Sequence, residues 1–446
     1  MTDNLKISVS GIRGIVGESL TVASLLGWVL SWERTLAEGP IVLGRDARPH
    51  GDGLLHLVAG ALEYVGRQVL IAGLVPTPTV GVLVRDRKAA GGVMLTASHN
   101  PSEWNALKLF NREGLILTPD EFAALGPVWE NPPGLDSYAY KPRGSSFDLH
   151  DALDAHIELV FKNVDRNRVA ARRFKVAVDG CRSVGGIAVP RALREAGVQV
   201  IELDCRPDGA FTRGLEPLPE NLGALKQTVI EEKADLGMAV DPDADRLALV
   251  SEKGEAIGEE YTLVLAADAV LGKGGKGLVA NLSSTMMLDA VAAKYGSPIY
   301  RSKVGESHVV DKIRETGASI GGEGNGGVIL PSVHLGRDSL SGALLVLDLL
   351  ARQGKTLSAM AAGYPRSVMV KDKIRAEEGL WERLLGQSGS WWKDAERDDQ
   401  DGVKWTWKDR WIHLRPSNTE PILRILAEAP SEKEARGLVE ELKGRI

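Results

Sequence analysis

The chain predicts an α/β protein built from several modules, and three observations point there. Short β-rich runs end in a polar residue at 41–46, 174–179 and 277–281. Each precedes a helix-compatible stretch, at 53–65, 185–196 and 285–294. Later in each block a second apolar run enters an unusually polar turn: 93–95 into 96–100, 236–240 into 241–246, and 318–320 into 321–327. Strands alternating with helical stretches make α/β layers. The repetition is one of plan, with little identity between residues.

Bulk properties narrow the class. At 446 residues the chain exceeds one ordinary core. With 43% apolar and 26% charged residues it reads as globular rather than disordered. A formal charge of −6 argues against a nucleic-acid partner, since phosphate backbones demand basic surfaces. Cys181 and Cys205 are too few for a disulfide framework, so a reducing cytoplasm is expected. Residues 1–6 are polar and acidic, and no signal peptide is expected. The apolar run 20–30 is broken by Thr21, Ser24 and Gly27 and predicts a buried helix, so no membrane partner is expected.

Composition shifts mark the boundaries. Residues 130–146 form a Pro/Gly/Ser-rich connector, a second change follows Arg246, and a third falls near Gly363-Tyr364-Pro365. The expected domains are therefore 1–145, 146–247, 248–362 and 363–446. The last block alternates like a hairpin over 403–408 and 411–414, then predicts a strand at 422–425 and a charged helix at 431–443. It reads as α+β. The stretch 387–401, rich in Gly, Ser and charge, predicts an exposed loop.

Four polar turns carry the chemistry. In Asp241-Pro242-Asp243-Ala244-Asp245-Arg246, carboxylates at i, i+2 and i+4 converge if the backbone is extended, and Pro242 disfavours helix at Asp241. Three such carboxylates form a hard oxygen site suited to Mg²⁺. A solvated acidic turn is the competing account, against which converging anions repel. Arg246 is placed to neutralise a phosphate held on the metal. In Thr96-Ala97-Ser98-His99-Asn100-Pro101, Ser98 is the candidate nucleophile or phosphoryl carrier; stored as phosphoserine it would require cationic neighbours. His99 either shapes the loop or moves a proton. The alternative is a capped turn with Pro101 opening a helix. Glu323 and Asn325, in a loop with five glycines between 321 and 327, match sugar hydroxyls, and a glycine hinge is the competing account. Arg415-Pro416-Ser417-Asn418-Thr419-Glu420 groups anion-binding side chains suited to a phosphate, with Arg424 a further cation or a surface residue. Arg13 in Gly11-Ile12-Arg13-Gly14 and Lys303 in Lys303-Val304-Gly305 are weaker signals.

Together these turns resemble the α-D-phosphohexomutase superfamily, whose four hallmark loops occur here in order over the whole chain. The resemblance implies three similar α/β domains with mixed sheets plus a C-terminal α+β domain, around a central cleft. It implies Ser98 as the phosphoserine and, with Asp241, Asp243 and Asp245, as a ligand of one Mg²⁺. Glu323 and Asn325 would read sugar hydroxyls. Arg415, Ser417, Asn418, Thr419 and Arg424 would hold the non-reacting phosphate. Arg13, Lys108 and Arg246 would surround the transferring phosphate, and Lys303 would contact substrate. Three departures stand out: Ile7-Ser8-Val9 replaces the usual Phe-Gly-Thr, Ala106 stands for Gly, and Gly327 stands where many relatives carry a proton-transferring His. His334 is the nearest substitute along the chain.

The expected activity is a phosphosugar mutase, an isomerase moving a phosphoryl group between O6 and O1 of a small-molecule hexose phosphate. A sugar 1,6-bisphosphate would serve as intermediate and activator. Glucosamine 6-phosphate leads; a phosphomannomutase/phosphoglucomutase is the alternative, and a phosphatase or a silent sugar-phosphate sensor is more remote. A cytoplasmic monomer or homodimer is expected.

Overall fold

The computed structural model describes residues 4–9, 11–377, 379–417 and 421–446. They divide into two compact units, 1–262 with 326–358 and 263–325 with 359–446.

The first unit opens with strands β1 (Lys6–Ser8), β2 (Gly11–Ile15), β3 (Ile41–Arg45), β4 (Gln68–Leu74), β5 (Gly91–Leu95), β6 (Trp104–Phe110) and β7 (Ser145–Asp148). Their order is β1-β2-β6-β5-β3-β4-β7. β3 runs parallel to β4 and β5, while β6 is antiparallel to β5 and β2. The sheet continues through the end of the connector, because β7 pairs in parallel with β4. Next come β8 (Lys175–Asp179), β9 (Gln199–Leu203), β10 (Leu236–Val240) and β11 (Leu247–Ser251), in the order β11-β10-β8-β9, with β8 parallel to both neighbours.

In the second unit β12 (Leu278–Asn281) lies between β13 (Ile299–Ser302) and β14 (Ile320–Glu323), again all parallel. β15 (Gly327–Ile329) belongs to the first unit. The chain ends on an antiparallel sheet of β16 (Val368–Arg375), β17 (Glu396–Asp398), β18 (Val403–Thr406), β19 (Trp411–Pro416) and β20 (Ile422–Ala429), ordered β16-β20-β19-β18-β17. Helix Glu432–Lys443, N-capped by Ser431, packs on β16 and β20.

The repeated plan is real. Three times the first strand of a block (β3, β8, β12) sits between the second and the third. Three times the polar turn leaves the C-terminal end of the third strand, where parallel sheets present ligand-binding groups. The central strands are apolar runs buried on both faces, as parallel strands between helices must be. Close packing explains Gly92 in β5: a Cβ there would meet Val84 at 2.8 Å and Val80 at 3.0 Å, both on helix Thr77–Asp86.

The predicted helix near 20–30 forms as Val22–Glu33, with a Thr21/Ser24 capping box and Trp28 and Val29 buried. One expectation fails. Instead of an exposed loop, 387–401 contains the buried Trp391 and contributes β17. Trp391 stacks on Trp405 with ring centroids 5.8 Å apart, and Trp392 meets Trp405 edge-on at 5.0 Å. Aromatic area outweighs the Gly, Ser and charge around it. Cys181 and Cys205 are buried free thiols whose pKa values burial pushes up to about 12. Among the described residues no helix is long and apolar enough to cross a membrane.

Candidate active site

Ser98 lies at the end of β5 in a left-handed backbone conformation, φ 49°. Such a conformation in a non-glycine residue costs about 1–3 kcal/mol and persists only where neighbours fix it. They do. Ser98 N donates to Thr96 Oγ1 at 3.0 Å, and Thr96 Oγ1 donates to Asp46 Oδ2 at 2.6 Å. Arg48, fully buried, donates to the carbonyls of Ser98 (2.7 Å), Asn100 (2.6 Å), Pro101 (2.5 Å) and Trp104 (3.0 Å), and pairs with Asp46 at 3.1 Å. Pro101 leads into β6 and opens no helix, so the capped-turn account fails.

The Ser98 hydroxyl donates to Asp241 Oδ2 at 3.0 Å. Asp241, Asp243 and Asp245 are buried, with ligand atoms all within 4.8 Å of one another. They converge through a turn and not through the extended backbone expected: Ala244 takes φ 52°, and its N–H returns to Asp241 O at 3.0 Å. A left-handed residue reverses the chain tightly enough to bring all three carboxylates to one point.

Asp241 has both carboxylate oxygens engaged, Asp243 and Asp245 one each. Asp241 Oδ1 accepts from the backbone of Asp245 and Arg246, both at 3.1 Å. Asp243 Oδ2 accepts from Lys108 Nζ and Thr77 Oγ1, both at 2.6 Å. Asp245 Oδ2 accepts from Arg337 at 2.7 Å. Asp243 Oδ1 and Asp245 Oδ1 are buried with no hydrogen-bond partner. Burial and repulsion from Asp245 and Asp243 raise the Asp241 pKa well above the usual carboxylate range. Burial acts the same way on Asp243, but Lys108 and Thr77 outweigh it and hold that group far below the range. Orphaned oxygens beside a carboxylate driven toward protonation are what a hard divalent cation would satisfy. The residues present fit one.

Cations surround this point. Asp243 and Asp245 overcome the burial penalty on Lys108 and hold its ammonium above its ordinary value. Arg246 pairs with Glu216 at 2.5 Å and lies 3.8 Å from Asp245. Arg13, directly across from Ala106 of β6, feels Asp243 and Asp245 attractively and Arg337 and Arg246 repulsively. His99 Nδ1 is 3.3 Å from Ser98 Oγ; burial, then Arg246, lowers its pKa to about 4 and keeps the ring neutral. His334 sits elsewhere, buried against Gly81 and beside Arg85, with its pKa lowered to about 3 by burial. It is no substitute at Ser98.

The second unit gathers the remaining candidates. Glu323 Oε1 accepts from Asn281 Nδ2 at 3.0 Å and Gly305 N at 3.1 Å, which sets Glu323 beside the Lys303-Val304-Gly305 turn. Arg415, on β19, has a buried Nε with no hydrogen-bond partner. Burial disfavours its charge, Asp401 and Glu323 favour it, and Arg424 opposes it. Arg415 and Arg424 are directly opposite on β19 and β20, an arrangement of like charges that is unfavourable without an anion to share. Asn325 and Ser417 lie in the same unit, Ser417 N donating to Ile422 O at 2.9 Å. Asn418 and Thr419 lie outside the described residues.

Sequence reasoning missed Arg48, Thr77 and Arg337. Arg48 stands two residues beyond the polar end of β3, a position only its buried pairing with Asp46 makes meaningful. Arg337 lies 92 positions from Asp245 along the chain, a proximity no local spacing shows.

Four family descriptions match consecutive stretches: phosphoglucomutase/phosphomannomutase alpha/beta/alpha domain I at 4–127, domain II at 154–254, domain III at 258–367 and the C-terminal domain at 368–444. A Methanopyrus kandleri protein named "Probable phosphoglucosamine mutase" is 36% identical over 439 residues, covering 97% of this chain and 95% of its own. A Thermococcus kodakarensis protein named "Phosphoglucomutase/phosphomannomutase" is 34% identical over 442 residues, covering 96% of each. The crystal structure of a phosphoglucomutase/phosphomannomutase family protein from Burkholderia thailandensis superposes with a TM-score of 0.84 at 26% identity, covering 98% of this chain and 97% of its own.

Proposed function

The chain belongs to the phosphoglucomutase/phosphomannomutase family, whose members are phosphohexomutases, and from that premise we propose that it interconverts glucosamine 6-phosphate and glucosamine 1-phosphate through phosphoserine at Ser98. The observation that carries this reading is the Ser98 hydroxyl at 3.0 Å from Asp241 within a buried carboxylate trio ringed by Lys108, Arg246 and Arg337. Choice of the amino sugar draws support from relatives named phosphoglucosamine mutase. The Thermococcus relative's name supports a second reading, with mannose or glucose phosphates as substrates.

Ser98, Asp241, Asp243 and Asp245 would hold one Mg²⁺, which when bound would neutralise charge on the transferring phosphoryl group. The protein's own groups do the rest. In the forward direction the phosphoryl group leaves Ser98 Oγ for the sugar O1 while the O1 hydroxyl proton passes to Oγ, giving the 1,6-bisphosphate; once the bisphosphate has turned over in the site, Oγ takes the phosphoryl group from O6 and the Oγ proton passes to O6. Lys108 fixes Asp243 and, with Arg13 and Arg246, adds positive charge at the transfer point. His99, neutral and beside Ser98 Oγ, can hold that oxygen by a hydrogen bond from Nδ1–H while the hydroxyl itself donates to Asp241. Glu323 and Asn325 would read the sugar hydroxyls, and Lys303, Arg415, Ser417, Asn418, Thr419 and Arg424 the non-reacting phosphate and its approach. A cytoplasmic setting and a monomer or homodimer fit this role.

A coupled assay with glucosamine, mannose and glucose phosphates, primed with the matching 1,6-bisphosphate and Mg²⁺, tests the reading. Fastest isomerisation of glucosamine phosphate is expected. Inorganic phosphate released with no isomer formed would replace the mutase by a phosphatase.

A further inference from the structure

A closed circuit of hydrogen bonds in the second unit joins the carboxylate that would read the sugar to the arginine that would hold its phosphate. From Glu323 it runs through Asn281, whose Oδ1 accepts from Ser283 N at 2.9 Å. Ser283 Oγ meets His413 Nδ1 at 2.9 Å, and His413 Nε2 meets the Asp401 carbonyl at 2.5 Å. A carbonyl only accepts, so Nε2 carries the proton and Nδ1 accepts from the serine hydroxyl. Burial lowers the His413 pKa to about 4, which keeps this single tautomer through the neutral range. Asp401 Oδ2 then accepts from Val304 N at 2.9 Å, and the next amide, Gly305, returns to Glu323. The circuit closes.

Asp401, a charged member of this circuit, also faces the phosphate arginine, at 3.7 Å from Arg415 Nη1. Its neighbour Gly402, at φ 78°, lets the turn lie flat on β19: a Cβ there would meet Leu414 O at 2.3 Å and Arg415 Cβ at 2.6 Å. We propose that Asp401 is a positioning residue that couples sugar reading to phosphate holding, by fixing the Lys303-Val304-Gly305 turn with one carboxylate oxygen while orienting the Arg415 guanidinium. It touches no substrate itself. Loss of Asp401 therefore loosens both recognition groups at once and leaves the transfer chemistry of the first unit alone. The inference rests on the reading of Glu323 and Arg415 as substrate-binding residues.

The experiment is a steady-state double-mutant cycle on the full chain with the hexose monophosphate the wild type turns over best. Asp401→Ala should raise KM about tenfold, the scale of one hydrogen bond to a charged group, with kcat within about twofold. Asp401→Asn keeps an acceptor for the Val304 amide and loses the charge facing Arg415, so its KM should rise about threefold, which also serves if the alanine variant does not fold. Combined with Glu323→Ala, Asp401→Ala should add less than the product of the two single effects, because both act through the same turn. A wild-type KM in either Asp401 variant, a loss confined to kcat, or a fully multiplicative cycle would overturn the proposal. Glu323→Ala and Arg415→Ala measured alone separate the two levels: if neither moves KM, the substrate-site reading is what fails.

Discussion

The two units handle charge in opposite ways. In the first, three carboxylates and the ammonium of Lys108 are packed in the interior, each fixed by a short hydrogen bond. In the second, the recognition groups hang on backbone amides, the Asn281 amide, the Ser283 hydroxyl and an uncharged His413, with the Asp401 carboxylate as the one charged link among them. Phosphoryl transfer asks for charge pre-set at one point, because reorganising it during the step would cost rate. Recognition of a sugar phosphate asks instead for donors and acceptors of fixed direction, which neutral groups supply with little desolvation penalty. The contrast predicts that damage to the first unit appears in kcat and stability, and damage to the second in KM.

The largest effect tests the first half. Ser98→Ala should abolish isomerisation by orders of magnitude, with the thermal midpoint and circular dichroism of the wild type, since Ser98 Oγ donates one hydrogen bond and its loop is held by Arg48. Undiminished mutase activity in this variant would remove Ser98 from the mechanism.

Next in size is Asp243→Asn. Lys108 is buried against Asp243 at 2.6 Å, and removing one partner of a buried pair strands the other charge. Unfolding in urea should show a loss of about 3–5 kcal/mol, on top of lost activity. A variant as stable as the wild type would mean that the pair is not what sets the stability of this site.

These two experiments probe residues that differ in how legible they were. Ser98, Asp241, Asp243 and Asp245 could be named from the chain because each lies in a short polar turn after an apolar strand, and local spacing carries that signal. The turn at Ala244 could not: a left-handed alanine leaves no mark in composition, so an extended backbone was the natural expectation. Arg48, Thr77 and Arg337 act across 50, 166 and 92 positions, distances that only the fold closes. The Trp391–Trp405 stack was hidden for a related reason, since its value lies in a partner from another strand. The three-fold plan of the α/β blocks was visible because it is written in local strand and helix patterns.

Arg415→Ala addresses the second unit. The half-buried guanidinium and its contacts to substrate phosphate would be lost, and KM should rise by about ten- to a hundredfold, the scale of a charged hydrogen bond or two, with kcat changed far less. A matching collapse of kcat would erase the division between the units.

The last test concerns a charge that the second unit does bury. Lys404 is nearly fully enclosed; its Nζ donates to Leu282 O at 2.6 Å and lies 4.2 Å from the Trp411 ring centre. Burial, then repulsion from Arg301, lowers its pKa to about 7. In the unfolded chain the group titrates near the ordinary lysine value of about 10.4. Between these two values the unfolded state binds the extra proton, so Lys404 makes stability rise with pH across that window, by at most about 1.4 kcal/mol per unit. Below about pH 7 both states are protonated and the penalty is present in full. Lys404→Met, which keeps the length and drops the charge, should therefore be more stable than the wild type at pH 6, with the difference shrinking as the pH approaches 10. Urea midpoints of the two proteins across that range measure it. A difference that stays constant with pH would mean that Lys404 keeps its proton in the folded state, and that the second unit tolerates a buried cation as well as the first.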